Sequence, residues 1–310
     1  MKRVLSKRQA SVEELRLLAD RQPVSVIITT FNEEWNIGAC IESVLWADEI
    51  FVVDSYSTDR TMEIARQYPI VSRRREYFGS AAQKNWSIDR VKHDWVLILD
   101  ADERVPEELA REILRLLSET PEYRGYYLRR QNIMAGKRIK HSGWSTDKVI
   151  RLFHRSHGRY PNRRVHADVD IEGPIPILKN SLIHYTFRNF DQYLEKSLNY
   201  ARWGAAQGFK EGRAAGFNEM GLRPLWRFLR AYFLQLGILD GLHGLVVCGL
   251  QSFGVFLKYA WLWDHRIQES LGEKVELPSF DDASTTWERH GEEAAEEAAD
   301  KADDEAADQS

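Results

Sequence analysis

Apolar positions in the first third of the chain fall into short continuous runs separated by amphipathic stretches. Val24-Ser25-Val26-Ile27-Ile28-Thr29-Thr30 is one run, Glu49-Ile50-Phe51-Val52-Val53-Asp54 a second, and Asp94-Trp95-Val96-Leu97-Ile98-Leu99-Asp100 a third. β-Branched runs without polar alternation predict strands buried on both faces. Val71 to Arg75 predicts one further short strand. Between these runs, Ile37, Cys40, Ile41, Val44 and Leu45 recur at helical spacing over Asn36 to Trp46. Ser57-Thr58-Asp59 caps a predicted helix reaching about Tyr68. Ala81 to Arg90 reads as a helix, and Pro106 opens another over Glu107 to Leu117. Strands alternating with helices from 24 to 117 predict a parallel sheet covered on both faces.

The pattern changes after residue 120. Gly125 to Arg130 and Lys148 to Phe153 predict strands of a mixed sheet, with a loop rich in Arg, His, Gly and Pro over 154–176 and a short strand over Ser181 to Tyr185. Phe190 to Gln207 predicts a helix through Tyr193, Leu194, Leu198 and Ala201. Trp226 to Trp263 is a strongly apolar helical region. Val12, Leu15 and Leu18 suggest a helical extension over 1–22. The tail from Gly291 is almost entirely Ala, Glu and Asp, which predicts disorder or a solvated helix.

Composition narrows the class. The chain has 310 residues, 43% hydrophobic and 29% charged, enough for one large domain with appendages. A net charge of −4 argues against nucleic acid as a partner. Two distant cysteines, Cys40 and Cys248, permit no disulfide framework, so a reducing cytoplasm is expected. No apolar stretch follows the basic start Met1 to Arg8, so no cleaved secretion signal is expected.

Ligands of parallel α/β sheets sit at the carboxyl ends of the strands. The polar residues collect there: Thr30-Phe31-Asn32-Glu33, Asp54, and Asp100-Ala101-Asp102. Two carboxylates at i and i+2 past a strand can converge on one hard cation, Mg²⁺ or Mn²⁺, bridging a diphosphate. The competing reading is an acidic turn, with Asp54 and Asp59 as helix caps and Glu103 facing solvent. His141, His154, His157, His166 and His184 lack a zinc-ligand spacing.

Taken together, Thr30-Phe31-Asn32-Glu33-Glu34, Val52-Val53-Asp54-Ser55, Ser57-Thr58-Asp59-Arg60-Thr61 and Leu97-Ile98-Leu99-Asp100-Ala101-Asp102 resemble family 2 glycosyltransferases of the GT-A fold, over about residues 22–118. The resemblance implies an enzyme that moves a sugar from a nucleoside diphosphate, UDP above all, with a divalent metal. It implies that Thr30, Asn32 and Glu33 line the nucleoside pocket, that Asp54 bonds the uracil ring, and that Asp59 lies beside it. It places Asp100 on the ribose or metal and Asp102 on the metal and diphosphate. Gly79-Ser80-Ala81-Ala82-Gln83-Lys84-Asn85 matches the family's small-residue stretch, with Lys84 either meeting the diphosphate or standing as an exposed helix lysine.

Val149-Ile150-Arg151-Leu152-Phe153-His154-Arg155, Arg164-Val165-His166 and Leu182-Ile183-His184-Tyr185 resemble a bacterial subgroup that includes lipopolysaccharide-core β-glucosyltransferases. That subgroup implies UDP-glucose as donor and a glycan or glycolipid acceptor. Its Glu after Val-His is Ala167 here. Inverting transfer needs a base for the acceptor hydroxyl, and the candidates are Asp168 first, His166 second, then Asp170 and Glu172. Arg151, Arg155, Arg163 and Arg164 face either an anionic acceptor or solvent.

The uncharged run Gly241 to Leu257, flanked by Trp226, Phe233, Tyr259, Trp261 and Trp263 and by Arg223, Arg227 and Arg230, reads either as interfacial helices on the inner membrane face or as an internal helical pair. The expected organisation is an extension over 1–22, a GT-A domain over 23–215 divided near 118, an apolar helical region over 216–272, and an acidic tail over 273–310. Two other readings use the same fold: a catalytically degenerate scaffold, and a nucleotidyltransferase. The latter would place a Gly-rich basic loop where Thr29 to Glu33 stands.

Overall fold

The computed structural model describes residues 12–16, 20–161, 169–187 and 190–278. These form two compact units. The first comprises the described residues up to Arg130 together with Lys148–His184. The second comprises Gln131–Asp147 and the described residues from Tyr185 onward.

The first unit opens with α1 (Val12–Arg16) and then alternates: β1 (Val24–Thr30), α2 (Ile37–Glu42), β2 (Glu49–Asp54), α3 (Thr61–Ala65), β3 (Val71–Arg74), α4 (Ser80–Ile88) and β4 (Trp95–Asp100). A two-residue strand β5 (Glu103–Arg104) and α5 (Glu107–Leu117) follow. Then come β6 (Gly125–Met134), β7 (Lys137–Arg138), β8 (Lys148–His154), β9 (Gly158–Arg159), β10 (Asp170–Ile171) and β11 (Ile177–Phe187). β6 and β11 begin in the first unit and end in the second.

The main sheet runs β3-β2-β1-β4-β8-β6-β11-β5, with β7 paired to the far end of β6. β1 is parallel to β2 and β4, and β2 to β3. β8 returns antiparallel to β4 and to β6. With helices on both faces and a helical region after it, this is the GT-A architecture that the resemblance implied. The continuous apolar runs are explained by burial on both sides. Val24, Val26 and Ile28 enter one core with Leu97 and Leu99, closed by Ile37 and Ile41 of α2 and by Leu109, Ile113 and Leu117 of α5. Ile27, Val53, Val96 and Ile98 enter the other, with Ile88 of α4 and Phe153 of β8.

β4 and β5 are three residues apart in sequence yet separated by β8, β6 and β11 in the sheet. Three backbone steps span at most about 11 Å, whereas four strand spacings in a flat sheet span about 19 Å. The sheet must therefore curl until β5, paired to β11 through His184 and Glu103, lies beside the end of β4.

In the second unit α6 (Phe190–Lys210) packs on α8 (Leu242–Ser270). Small residues make the approach possible: Ala201 and Ala205 are buried, and a Cβ on Gly204 would stand 3.1 Å from the Lys258 side chain. The apolar region predicted over 226–263 is broken. α7 (Arg223–Leu229) lies between π-helical turns at Asn218–Leu222 and Arg230–Leu234, and a 3-10 turn at Gly237–Asp240 precedes α8. Leu236 and Gly241 take φ of +56° and +64°, which reverses the chain. Gly237 and Gly244 then touch backbone to backbone, since a Cβ on Gly244 would lie 1.8 Å from the Gly237 carbonyl oxygen.

Other boundaries moved for local reasons. α2 ends at Glu42 because the chain turns so that Trp46 can donate to the Ser43 carbonyl at 2.9 Å. β11 extends well past the apolar run at 181–185, since its sheet partners rather than its own burial sustain it. The loop over 154–176 contains the β9–β10 ribbon.

Candidate active site

The register of the sheet brings the candidate residues together. Thr30 is opposite Asp54 across β1–β2, and Thr29 is opposite Asp100 across β1–β4. All lie at the carboxyl ends of their strands, where helices and loops leave the sheet.

The loops after β1 and β2 are laced to each other. Asn32, at φ +50°, accepts the Thr58 backbone N–H at 2.8 Å, and its own N–H donates to Ser57 Oγ at 2.9 Å. The Glu33 N–H donates to Thr61 Oγ1 at 2.7 Å, and its carboxylate accepts from Asn36 at 2.7 Å. Asp59 accepts the Glu34 N–H at 3.1 Å and the Thr61 N–H at 2.9 Å. Asp54 is fully buried. Its carboxylate accepts from Ser57 Oγ at 2.6 Å and faces Arg74 Nε at 3.4 Å. Burial pushes the Asp54 carboxyl above the usual carboxylate range, against the opposing pull of Ser57 and Arg74. Thr30 Oγ1 is buried and makes no hydrogen bond among the described residues.

The end of β4 carries a buried ion network. Asp100 Oδ1 meets Lys84 Nζ at 2.9 Å and accepts from Thr29 Oγ1 at 3.0 Å. Its Oδ2 accepts from Arg151. Arg151 also donates to Glu103 Oε1 at 2.8 Å, Glu103 Oε2 accepts the Asp100 N–H at 3.1 Å, and Arg130 stands 3.7 Å from Glu103. Burial opposes ionisation of Asp100, but Arg151 and Lys84 more than reverse it and hold its carboxyl well below the usual range. Burial lowers the pKa of Lys84, with Asp100 pulling the other way. Three cations (Lys84, Arg130, Arg151) against two carboxylates (Asp100, Glu103) leave one positive charge.

Two expectations change here. Glu103 does not face solvent: it has no exposed surface, because β5 places it against Arg151. Arg151 is likewise buried, so it serves the carboxylates rather than an external anion. Arg155 binds Asp94 at 3.0 Å. Lys84 is buried on α4, its ammonium 5.6 Å from the centre of the Tyr160 ring.

Asp102 lies on the same link, two residues past Asp100. His184 of β11 places Nε2 3.4 Å from Asp102 Oδ2, both side chains being largely shielded. The Asp102 carboxylate oxygen is a donor that suits Mg²⁺ or Mn²⁺, the imidazole nitrogen beside it is a softer one, and among the described residues no group of three His, Cys, Asp or Glu side chains surrounds a metal position. Asp100 fits such an ion less well, because both its oxygens are already engaged. Asp168, His166, Arg163 and Arg164 lie outside the described residues. Asp170 and Glu172 are exposed.

Sequence reasoning named three participants without their roles. Arg151 was read as facing an anionic acceptor or solvent, Glu103 as facing solvent, and His184 stood in the Leu182–Tyr185 motif, while only strand pairing with Glu103, 81 residues away, places it at the site.

A curled, mostly parallel sheet with helices on both faces and an acidic and cationic cluster at its strand ends is the architecture of the GT-A class. Residues 25–174 match the model for glycosyl transferase family 2. The chain is 30% identical over 271 residues to the lipopolysaccharide core biosynthesis glycosyltransferase LpsC of Rhizobium meliloti, covering 84% of this chain and 97% of that protein. It is 28% identical over 251 residues to an uncharacterized glycosyltransferase of Rickettsia typhi, covering 77% and 86%. Among solved structures it is similar to glucosyl-3-phosphoglycerate synthase of Mycobacterium tuberculosis, at 18% identity, 59% and 79% coverage and a TM-score of 0.42. The chain belongs to glycosyltransferase family 2 and is a glycosyltransferase.

Proposed function

We propose that this enzyme transfers a sugar, with inversion, from a UDP-linked donor to a glycan or glycolipid hydroxyl in envelope polysaccharide or lipopolysaccharide synthesis. The observation that carries the donor half is the convergence of Asp102 and His184 beside the Lys84–Asp100–Arg151 network at one sheet end. The relationship to LpsC supports a lipopolysaccharide-core acceptor, and UDP-glucose, implied by the sequence resemblance, is the first donor to try.

Asp102 and His184 would hold Mg²⁺ or Mn²⁺, which neutralises the leaving diphosphate when bound. Lys84 and the network's surplus positive charge favour the same anion. Thr30 Oγ1, Asn32 and Glu33 border the nucleoside, with Asp59 bracing their loop. Asp54 reaches the base N–H once the Tyr56–Thr58 loop moves off it. Asp100, held by two cations, orients the ribose side. The acceptor hydroxyl loses its proton to Asp168, or to His166 as the second candidate.

We place the enzyme in the cytoplasm, peripheral to the inner face of the membrane. α8 is long and apolar enough to cross a membrane by length and composition. Trp226, Phe233, Leu239 and Leu242 are exposed, with Arg223, Arg227 and Arg230 among them, the pattern of an interfacial surface. The deciding experiment is release of nucleotide from a panel of nucleotide sugars, with Mn²⁺ or Mg²⁺ and with lipopolysaccharide-core acceptors. Turnover confined to a donor other than UDP-glucose would remove the glucose assignment. Turnover without any divalent ion would remove the role given to Asp102 and His184.

A further inference from the structure

The second unit holds an apolar cavity of about 190 Å³. Met134 and Ala135 line it from the turn after β6, Phe187 and Phe190 from the end of β11 and the start of α6, and Leu242 and Val246 from the first turns of α8. His243 is the one titratable side chain in the lining. A cleft of this composition is poorly hydrated and favours a hydrocarbon ligand over a polar one.

Its border is cationic. The hairpin that supplies Met134 and Ala135 continues into Lys137, Arg138 and Lys140, all exposed. Lys137 Nζ donates to the Asp240 carbonyl oxygen at 2.9 Å, which holds an ammonium two residues from the Leu242 wall. One acid, Asp240, lies beside these three cations and offsets part of their charge, which leaves the border net positive. The Asp240 carboxylate is buried and accepts the backbone N–H groups of Lys140 at 3.2 Å and His141 at 2.9 Å. Leu242 belongs both to the cavity wall and to an exposed apolar stretch with Leu239 and Leu245. The cavity is thus continuous with the surface assigned above to the membrane.

We propose that this cavity takes one acyl chain of an anionic membrane lipid, with the lipid phosphate held by Lys137, Arg138 and Lys140. The inference rests on the membrane-surface reading and adds to it a defined lipid site. The apolar lining suits an acyl chain and the exposed cations suit its phosphate.

The test uses the full chain and vesicles of phosphatidylcholine, with and without phosphatidylglycerol, carrying a phospholipid with a photoactivatable acyl chain. Cross-linked peptides are mapped by mass spectrometry and vesicle binding is followed by flotation. The expected result is labelling at Met134–Ala135 and Leu242–Val246 that depends on phosphatidylglycerol. Val246→Phe, which intrudes on the cavity, should lower that labelling roughly tenfold, as expected for about two methylene groups denied burial, while flotation persists. Replacing Lys137, Arg138 and Lys140 by Gln together should abolish the preference for phosphatidylglycerol. Flotation with labelling confined to other apolar residues would overturn the cavity assignment and leave the membrane reading standing. The absence of flotation would overturn both.

Discussion

Replacing Arg151 by Met keeps most of the side-chain volume and removes one buried cation. Arg151 stands 2.8 Å from Glu103 and also binds Asp100. At an effective dielectric of 20 the Glu103 contact alone is worth about 6 kcal/mol before desolvation. The net loss on breaking a buried pair is smaller, about 3–5 kcal/mol, because Glu103 is then left buried with a weaker partner. Arg130, 3.7 Å away and partly exposed, takes up some of that charge, so the lower end applies. About 3 kcal/mol corresponds to a fall in melting temperature of about 6–12 °C. Arg151→Lys restores one charge but cannot bridge both carboxylates, so it should recover only part of the loss. The substitution also changes the acid limb. Asp100 is held below its unfolded value, so its stabilisation is present above pH about 4 and is lost as pH falls through the lower folded value. Without Arg151 the largest depressing influence is gone and Lys84 remains, so the loss should begin at higher pH. Thermal and urea denaturation between pH 3 and 8 measure both effects. A stability within about 0.5 kcal/mol of the parent, the range of an ordinary surface change, would refute the ion-network reasoning.

Four further outcomes follow, three from the site and one from the second unit. Asp102→Ala should lower metal-dependent nucleotide release at least about a hundredfold. His184→Ala should raise the Mn²⁺ concentration for half-maximal rate by about tenfold or more, and an unchanged metal titration would remove His184 from the site. Burial raises the Asp54 pKa, so donor affinity, which needs the carboxylate, should weaken as pH falls through that raised value. Titration calorimetry should show Asp54→Asn binding weakly and with little pH dependence in that window. Gly244→Ala drives a methyl into the Gly237 carbonyl and should cost about 3 kcal/mol or more, read as loss of soluble protein or a lowered melting temperature.

The parallel half of the fold was legible because its strands are buried on both faces and therefore read as unbroken apolar runs. Glu107–Leu117 was legible to the residue, its ends marked by Pro106 and by the last inward leucine. The helices around Asn36 and Ser57 were overestimated, because apolar residues such as Val44 reach the core from turns as well as from helix. The break at Leu236–Gly241 left no clear mark, since Leu236 gives no hint of a positive φ. At the site, the residues of the early strand ends were found, whereas the roles of Glu103 and of the residues supplied by later strands were not. Arg151 and His184 reach Asp100 and Asp102 only through the antiparallel half of the sheet, and pairing between distant strands carries no local periodicity.

The short β5 has a consequence for the order of assembly. Asp100 and Asp102 lie on the link that closes the curled sheet, with one end fixed when β4 pairs with β1 and the other only when β11 arrives alongside β5. Closure therefore depends on contacts across some 80 residues, which form late because their loop entropy must be met first. A nascent chain that has folded only its N-terminal half would possess the loops after β1, β2 and β4 but neither Arg151 nor His184. Catalytic competence is in this sense a readout of completed folding, and a fragment ending near residue 118 should behave as an incomplete, acid-rich edge rather than as a small donor-binding module.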